Sequence, residues 1–302
     1  MCMKCLICKR DNRQEAKFCR FCGEEINVSV QETVETQVSE KKDEKVTSFE
    51  KSKKEIDGFI GHQEIRDELN KFINKRRIEK RREQSGFEPD MANHIFLFNG
   101  STGTGKFSVS QWFANKLKSE KLVSGKIGTY YAKEVKNQYQ DEFAFRTFLE
   151  QNSFGVLIIR EVHFDTEYLG EILRAVSSNK SGCICICIGL KNKLDIYFKD
   201  NPDNRQRINS FFDFKNYSDQ QLFEILEHSL DKKRIKYSKD VSDLLFQFVI
   251  ESNNSQTKDH ENGWLIEKDI IPELLEYQAE RLSTLDSPKD EDFITLLVED
   301  VR

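Results

Sequence analysis

A glycine-rich segment at residues 100–106 has the residue types and the spacing that bind phosphate groups. It reads G-S-T-G-T-G-K and matches the pattern G-x-x-x-x-G-K. A short apolar run at 95–98 predicts a strand before it, and a predicted helix follows. In that context backbone N–H groups close around phosphate oxygens, and the lysine and the helix N-terminus add positive charge. The residues expected to bind ATP or ADP are Gly100, Ser101, Thr102, Gly103, Thr104, Gly105 and Lys106.

Two positions that normally organise Mg²⁺ beside such a loop carry other residues. Phe107 stands where a Ser or Thr hydroxyl is expected, and Ser108 lies about 100° further around the helix. The apolar run 155–160 has the form of a Walker B strand, but it ends in Arg160 instead of an aspartate. Glu161 follows at the position of a water-activating carboxylate and is the candidate catalytic residue. Because one lost stabilising group commonly costs about 10²–10³ in rate, we predict weak or absent hydrolysis, and Mg²⁺ binding is left open.

Arg160 allows two interpretations of the nucleotide site. In the first, its guanidinium lies near the usual Mg²⁺ position and partly replaces the charge that the ion places on the phosphates. Nucleotide binding then tolerates EDTA. In the second, the side chain turns outward and contributes nothing to the ligand. Titrating nucleotide with and without a chelator separates the two.

Four N-terminal cysteines have the spacing of a structural zinc site. Two C-x-x-C pairs are separated by ten residues, and four thiolates at this spacing bind Zn²⁺ in a closed tetrahedral site. A module as short as residues 1–26 buries little apolar surface, so the metal must supply its folding energy. The module resembles a short bacterial zinc ribbon. The predicted ligands are Cys5, Cys8, Cys19 and Cys22, with Cys2 as a spare thiol or an exchangeable ligand.

Apolar runs alternate with helical patterns from residue 94, and only helical patterns follow residue 217. Continuous apolar strands joined by helices are typical of a parallel sheet that is covered on both faces. The predicted strands are residues 94–98, 126–132, 155–160, 183–189 and 211–214, and the predicted helices are 62–84, 105–119, 143–151, 168–178, 219–230, 241–250 and 266–282. Cys183, Cys185 and Cys187 alternate along one strand and are expected as core thiols. The predicted organisation is a zinc ribbon at 1–26, a disordered charged linker at 27–55, an α/β nucleotide-binding domain at 56–217 and a helical lid at 218–302.

The composition argues against a membrane span and against a general attraction to nucleic acid. The 302 residues are 37% hydrophobic and 33% charged, and no uncharged apolar run reaches the length of about 18 residues that a span requires. The N-terminus lacks an apolar signal segment, so a cytoplasmic protein is expected. The net charge is −5. One basic cluster is interpreted as a solvated helix face, with nucleic-acid binding as the alternative; it comprises Lys75, Arg76, Arg77, Lys80, Arg81 and Arg82.

Several further segments occur in the order that one ATPase family shows. They are I-D-G-F-I-G-H-Q-E-I at 56–65, N-P-D-N-R-Q-R-I at 201–208, F-D-F-K-N-Y-S at 212–218 and Q-A-E-R-L at 278–282. Together with the phosphate-binding loop (P-loop), they resemble the AAA+ group that includes CbbX-type rubisco activases and the sporulation protein SpoVK. The resemblance covers about residues 55–302. It implies a P-loop AAA+ parallel sheet flanked by helices, with a C-terminal helical lid.

The resemblance also implies a hexameric ring in which an arginine reaches the γ-phosphate bound by the neighbouring subunit. Arg207 matches that arginine finger, and Arg205 sits beside it. Tyr139 lies near the position of the family's pore-loop aromatic, but the flanking glycines are missing. Leu265 and Lys268 occupy the two positions for the lid's sensor arginine, which is therefore lost or weakened. The residues that act on Mg²⁺ within one subunit are thus replaced, whereas the residue that acts in trans is kept.

Three functions stay open at this point. The favoured one is a degenerate AAA+ protein that binds ATP or ADP, acts through a homo- or hetero-oligomeric ring and hydrolyses little or nothing. The second is an active AAA+ remodelling ATPase acting on a protein client. The third is a zinc-ribbon adaptor for nucleic acid or protein with a vestigial P-loop. Mg²⁺-dependent turnover indicates the second, and salt-sensitive nucleic-acid binding without nucleotide binding indicates the third.

Overall fold

The computed structural model divides the chain into two units, residues 1–49 and 50–302. The residues that the structure describes are 2–4, 11–13, 59–88, 93–179, 181–255 and 258–302. In the first unit, β1 (Cys2–Lys4) pairs antiparallel with β2 (Asp11–Arg13). The predicted zinc ligands and the predicted linker lie outside the described residues, so both stay predictions; they are Cys5, Cys8, Cys19, Cys22 and residues 27–55.

A five-stranded parallel sheet forms the centre of the second unit. Its strands are β3 (His94–Gly100), β4 (Lys126–Tyr131), β5 (Phe154–Arg160), β6 (Ile184–Gly189) and β7 (Ser210–Phe214). They lie in the order β4-β5-β6-β3-β7, and all neighbouring pairs are parallel. Because helices cover both faces, the inner strands are apolar on both sides. The predicted parallel sheet is confirmed, with all five strands where the sequence placed them.

Seven helices surround this sheet within the described residues. They are α1 (Gln63–Gln84), α2 (Lys106–Ser119), α3 (Ala132–Gln138), α4 (Glu142–Asn152), α5 (Thr166–Ser178), α6 (Lys191–Asp200) and α7 (Pro202–Gln206). The sequence analysis did not predict α3, α6 or the five-residue α7. Helix α3 is short and buries only Ala132 and Val135, too few for a periodic signal. Helix α6 does carry a signal, since Leu194, Tyr197 and Phe198 follow i, i+3, i+4 spacing and are buried.

The three strand cysteines are core residues, as predicted. Cys183, Cys185 and Cys187 belong to the hydrophobic cluster on one face of the sheet and are almost fully buried. They are free thiols, with the sulfur atoms of Cys185 and Cys187 3.9 Å apart. Burial raises the pKa of Cys183 to about 12, so this thiol stays protonated and unreactive at neutral pH.

A helical lid follows the sheet and has a hydrophobic core of its own. It comprises α8 (Asp219–Lys232), β8 (Lys236–Tyr237), α9 (Lys239–Asn254), a π-helical turn (Leu265–Ile270), α10 (Ile271–Ser283) and β9 (Thr295–Leu296). The Ser218 hydroxyl accepts from the backbone of Gln221, whose side chain accepts from the backbone of Ser218, so a capping box begins α8. Across the described part of the chain, no helix combines the length and the apolar character needed to cross a membrane.

The chain after α10 is tied back to that helix by a buried glutamine. Gln278 is 5% exposed, and its amide donates to the carbonyls of Asp292, Phe293 and Thr295 at 3.3, 3.4 and 3.0 Å. One side chain thus satisfies carbonyl groups of an irregular segment that would otherwise lack partners. The segment Q-A-E-R-L therefore has a structural role in the lid.

Candidate functional site

The P-loop connects the end of β3 to the start of α2 at the carboxyl edge of the sheet. Gly103 and Gly105 have φ angles of 74° and 79°, a region that side-chain-bearing residues rarely adopt. Gly105 is the N-cap of α2 and offers no side-chain cap. The first N–H groups of this helix have no partner within it, so they are available for an anion.

The lid contacts the P-loop backbone directly. Asn262 Nδ2 donates to the Thr102 carbonyl at 3.0 Å, and the backbone N–H of Gly263 donates to the Gly103 carbonyl at 3.0 Å. Asn262 is 4% exposed, and its Oδ1 accepts from the backbone N–H of Tyr217 at 3.1 Å. These bonds occupy loop carbonyls, which leaves the N–H groups of the loop as its phosphate-binding groups. The pair Asn262-Gly263 also fixes where the lid sits on the loop.

A histidine and a tyrosine both hydrogen-bond to the carbonyl oxygen of Thr104 in the loop. His62 Nε2 lies 3.0 Å from the Thr104 carbonyl, and the Tyr217 hydroxyl donates to the same oxygen at 3.3 Å. Because a carbonyl only accepts, His62 Nε2 carries the proton. Burial lowers the pKa of His62, and the nearby positive charge of Lys106 lowers it further. The hydrogen bond to the Thr104 carbonyl acts in the opposite direction and raises this pKa. His62, Tyr217 and Asn262 were not predicted as site residues, although the first two lie in the segments that carry the AAA+ resemblance.

The side chain of Lys106 folds back onto the loop. Its Nζ donates to the carbonyls of Gly100, at 2.9 Å, and Ser101, and to the hydroxyl of Thr104 at 3.2 Å. Burial lowers the pKa of Lys106 to about 8. All seven predicted phosphate-binding residues are therefore brought together at one end of α2.

Nucleotide affinity is expected to fall about tenfold between pH 7 and pH 9 because Lys106 loses its proton. In the protein without nucleotide, Lys106 has a pKa of about 8. A bound phosphate raises the pKa of Lys106 because it stabilises the protonated form. The complex then holds more protons than the free protein above pH 8, so affinity is full below pH 8 and declines above it. His62 and His163 have lowered pKa values and are already neutral across this range.

Calorimetric titration of ADP at a series of pH values measures this effect. Lys106→Arg is the matched control, because a guanidinium keeps its charge over the whole range. Its affinity profile should be flat. A wild-type profile as flat as that of the arginine variant would show that the lysine pKa is not lowered.

Phe107 and Arg160 touch each other. The guanidinium carbon of Arg160 lies 4.1 Å from the centroid of the Phe107 ring and 4.6 Å from that of Tyr131. These are cation–π distances. Arg160 ends β5 and Tyr131 ends the neighbouring strand β4, so both reach the carboxyl edge of the sheet beside the P-loop helix. The side chain of Arg160 therefore contacts two aromatic rings, and both interpretations of its role stay open.

Glu161 begins a short 3-10 turn, Val162–Phe164, and has a φ angle of 59°. His163 follows within this turn. Burial lowers the pKa of His163, and the charges of Lys106 and Lys193 lower it further, which places its ring in the field of the P-loop lysine. Its Nδ1 is buried without a hydrogen-bond partner in the described part of the chain. The candidate carboxylate Glu161 therefore has His163 as a polar neighbour in the turn that follows it.

Arg205, within α7, and Arg207, its C-cap, differ in their surroundings. Arg205 packs on the Phe211 ring with its guanidinium carbon 4.4 Å from the centroid. Arg207 is exposed. Its side chain makes no hydrogen bond or ion pair with the residues that the structure describes. The predicted finger is thus free to reach another molecule, whereas Arg205 is used within the chain.

Three other positions that the resemblance raised have clear placements. Tyr139 stacks on Phe148 with ring centroids 4.5 Å apart and packs against the main core, so it does not project as a pore-loop aromatic. Leu265 is 1% exposed in the lid core, which rules it out as a phosphate contact. Lys268 lies in the π-helical turn. Trp264 precedes that turn, is 45% exposed and has its backbone N–H beside Gly103.

The basic cluster on α1 is largely neutralised by acidic partners. Arg76 pairs with Glu79 at 2.7 Å, Arg77 with Glu120 at 2.6 Å and Lys80 with Glu83 at 3.0 Å. A helix face laced by ion pairs is typical of a solvated surface. This favours the solvated-face interpretation over nucleic-acid binding.

A cavity of about 290 Å³ lies beside the P-loop, between the segment before α1 and the first lid helix. Its walls include His62, which holds the loop through Thr104. None of its described lining residues belongs to the P-loop, so the cavity adjoins the loop through His62. Its lining residues are Phe59, Ile60, Gly61, His62, Gln63, Arg66, Gln221 and Glu224.

Comparison with known proteins supports this architecture. Residues 218–302 match the AAA lid domain family. The chain is 25% identical to protein CbbX of Cereibacter sphaeroides over 204 residues, which are 63% of this chain and 66% of that protein. It is 26% identical to CfxQ of Xanthobacter flavus over 182 residues, 56% of this chain and 57% of that protein. The chain spans between about half and two thirds of the length of these relatives.

Two further similarities agree with this. The chain is 22% identical over 204 residues to the chloroplastic ribulose bisphosphate carboxylase/oxygenase activase of Cyanidioschyzon merolae, covering 63% of this chain and 70% of that protein. The structure of the Aeropyrum pernix ORC2 protein, in complexes with ADPNP and ADP, matches with a TM-score of 0.50 at 15% identity, covering 76% of this chain and 66% of that one. The sequence relatives and the lid domain support an AAA+ ATPase of the CbbX-like group, and the structural similarity supports the fold.

Proposed function

We propose that this chain is a nucleotide-binding AAA+ subunit that acts by assembly and hydrolyses little or no ATP itself. The observation that carries the proposal is the contrast between two parts of one site. The P-loop and Lys106 form a complete phosphate-binding arrangement. The two positions beside it that organise Mg²⁺ hold an aromatic ring and a guanidinium in mutual contact. Neither group offers the oxygen ligands that Mg²⁺ requires.

The ligand that fits best is ATP or ADP. Its phosphates would lie on the P-loop N–H groups and Lys106, and its base would enter the adjoining cavity. The cavity is bounded on one side by the backbone around Gly61 and on the other by Gln221 and Glu224 of the lid. Nucleotide bound there would touch both the sheet domain and the lid, so its binding would bias the position of the lid.

Assembly is proposed from Arg207. Arg207 is exposed at the end of α7 and has no hydrogen-bond or ion-pair partner among the described residues, so it is suited to contact a phosphate bound by a neighbouring subunit. The neighbour could be a second copy of this chain or an intact AAA+ protein. The predicted N-terminal zinc ribbon, with its single structural Zn²⁺, would then serve as a tethered docking module.

The second candidate function is an active remodelling ATPase with a protein client. It is favoured by the similarity to CbbX and to the chloroplastic activase and by Glu161 at the end of β5. Phosphate release by the isolated protein, measured with ATP and Mg²⁺, separates the two candidates. Nucleotide binding without turnover supports the assembly function, and substantial Mg²⁺-dependent turnover refutes it.

Arg207→Ala is expected to abolish ATP-dependent association without changing nucleotide affinity. The charge that it removes acts on another subunit's phosphate, so the chain's own P-loop is untouched. Light scattering with ATP, with ADP and without nucleotide measures the association, and calorimetry measures the affinity.

Arg205→Ala is the matched control for this variant. Its guanidinium is stacked on Phe211 within the same chain, so this variant should lose some stability and keep its ATP-dependent association. Equal association of wild type and Arg207→Ala at every protein concentration would remove Arg207 from the mechanism.

A further inference from the structure

The guanidinium of Arg160 rests against two aromatic rings. Its central carbon lies 4.1 Å from the centroid of the Phe107 ring and 4.6 Å from that of the Tyr131 ring. Contact with two rings restricts the side chain, so less of its freedom is left to lose on binding. The packed arginine lies at the carboxyl end of β5.

The N–H groups of this guanidinium are not used by the described part of the chain. The side chain is partly exposed, and it makes no hydrogen bond or ion pair with any described residue. An arginine carries five N–H donors in a plane, and that fork matches phosphate oxygens in a bidentate manner. Contacts with aromatic rings do not use these N–H donors, so they are available to such a ligand.

The position of the group relative to the P-loop defines what that ligand is. Phe107 is the second residue of α2 and follows Lys106 directly. The guanidinium that rests on its ring therefore lies beside the phosphate-binding end of the helix. A guanidinium there attracts an anion and repels a divalent metal ion. The usual oxygen ligands of that metal are missing at the same two positions.

We propose that Arg160 binds the nucleotide's phosphate oxygens directly and takes the place of the divalent cation. The ligand is then a metal-free nucleoside di- or triphosphate. Phe107 and Tyr131 are positioning residues that orient the guanidinium. This inference rests on the proposed nucleotide-binding function and specifies the form of the ligand.

Calorimetric titration of the full chain with ATP and with ADP, in EDTA and in Mg²⁺, tests this directly. We expect the affinity in EDTA to equal or exceed that in Mg²⁺, because the metal competes with Arg160 for the same oxygens. Arg160→Ala should weaken binding in EDTA by about 10–100-fold, the effect of losing a charge-assisted hydrogen-bond pair. Melting temperatures confirm that the variant is folded.

Phe107→Thr combined with Arg160→Asp restores the usual pair of metal-organising oxygens. This double variant should bind nucleotide at least about tenfold more tightly with Mg²⁺ than with EDTA, the reverse of wild type. Tyr131→Leu should lower affinity by a few-fold and keep the tolerance of EDTA.

The outcomes are separable. Wild-type binding that collapses in EDTA overturns the role of Arg160 and leaves nucleotide binding intact. Equal affinity of wild type and Arg160→Ala in EDTA overturns it as well. Absence of binding in both EDTA and Mg²⁺ overturns the proposed function together with this inference.

Discussion

Replacing Asp300 by alanine is expected to lower the free energy of unfolding of the lid by about 3–5 kcal/mol, because it leaves a buried arginine without its counterion. Arg281 Nε donates to Asp300 Oδ1 at 2.8 Å, and Nη2 donates to Oδ2 at 3.0 Å. The two side chains are 9% and 0% exposed. The same carboxylate accepts from the backbone N–H of Leu297 at 2.9 Å, so its removal also frees the C-terminal segment.

Urea denaturation followed by the fluorescence of Trp264 measures this change in the lid. A Trp112→Phe background removes the other tryptophan. The matched control is Asp213→Ala, which breaks the 2.8 Å ion pair between Asp213 and Lys191. The side chain of Lys191 is 46% exposed and that of Asp213 is 49% exposed. An exposed pair of this kind contributes about 1 kcal/mol or less. Equal losses in the two variants would contradict a burial-dependent role for Asp300.

This ion pair shows what the Q-A-E-R-L segment does in the fold. The segment contributed to the AAA+ resemblance, yet neither Gln278 nor Arg281 faces the nucleotide site. Both hold the residues after α10, through carbonyls and through Asp300. A sequence motif can thus be shared with a family because it stabilises the lid, even where the residues of the nucleotide site differ.

The elements that the sequence predicted are those with strong local patterns. Strands β5 and β6 are apolar throughout because both of their faces are buried. The P-loop was predicted because its glycines and lysine are adjacent in sequence. The contacts that support the loop were not predictable in this way. His62 and Asn262 reach Thr104 and Thr102 from distant parts of the chain, and nothing in the local pattern around them names those partners.

The contact between Phe107 and Arg160 is a second example of a tertiary contact that the sequence did not predict. Each was interpreted from sequence as the loss of one magnesium ligand. The structure brings the two replacements into contact, with the Tyr131 ring also beside the guanidinium. Two losses that are independent in sequence are therefore one packed arrangement in space. Only the tertiary contact distinguishes a decayed site from a site rebuilt around a different cation.

Gly103→Ala is expected to lower the free energy of unfolding by about 2–5 kcal/mol and to separate the lid from the P-loop. A Cβ atom at this position would lie 2.3 Å from the Glu261 carbonyl oxygen and 3.1 Å from the Trp264 backbone nitrogen. Both are backbone atoms of the lid, so the lid segment itself must shift. The shift breaks the bonds from Asn262 and Gly263 to the loop, in addition to the strain of a positive φ angle.

Gly86→Ala separates these two effects. Gly86 also has a positive φ angle, 87°, but a Cβ there meets nothing within 4 Å. It should therefore cost only the backbone strain, about 1–2 kcal/mol, and leave the Trp264 emission unchanged. Gly103→Ala should shift that emission, because the indole follows the displaced segment. If both alanines cost the same and neither alters Trp264, the lid does not rest on the P-loop in solution, and bound nucleotide would have to bridge the two by itself.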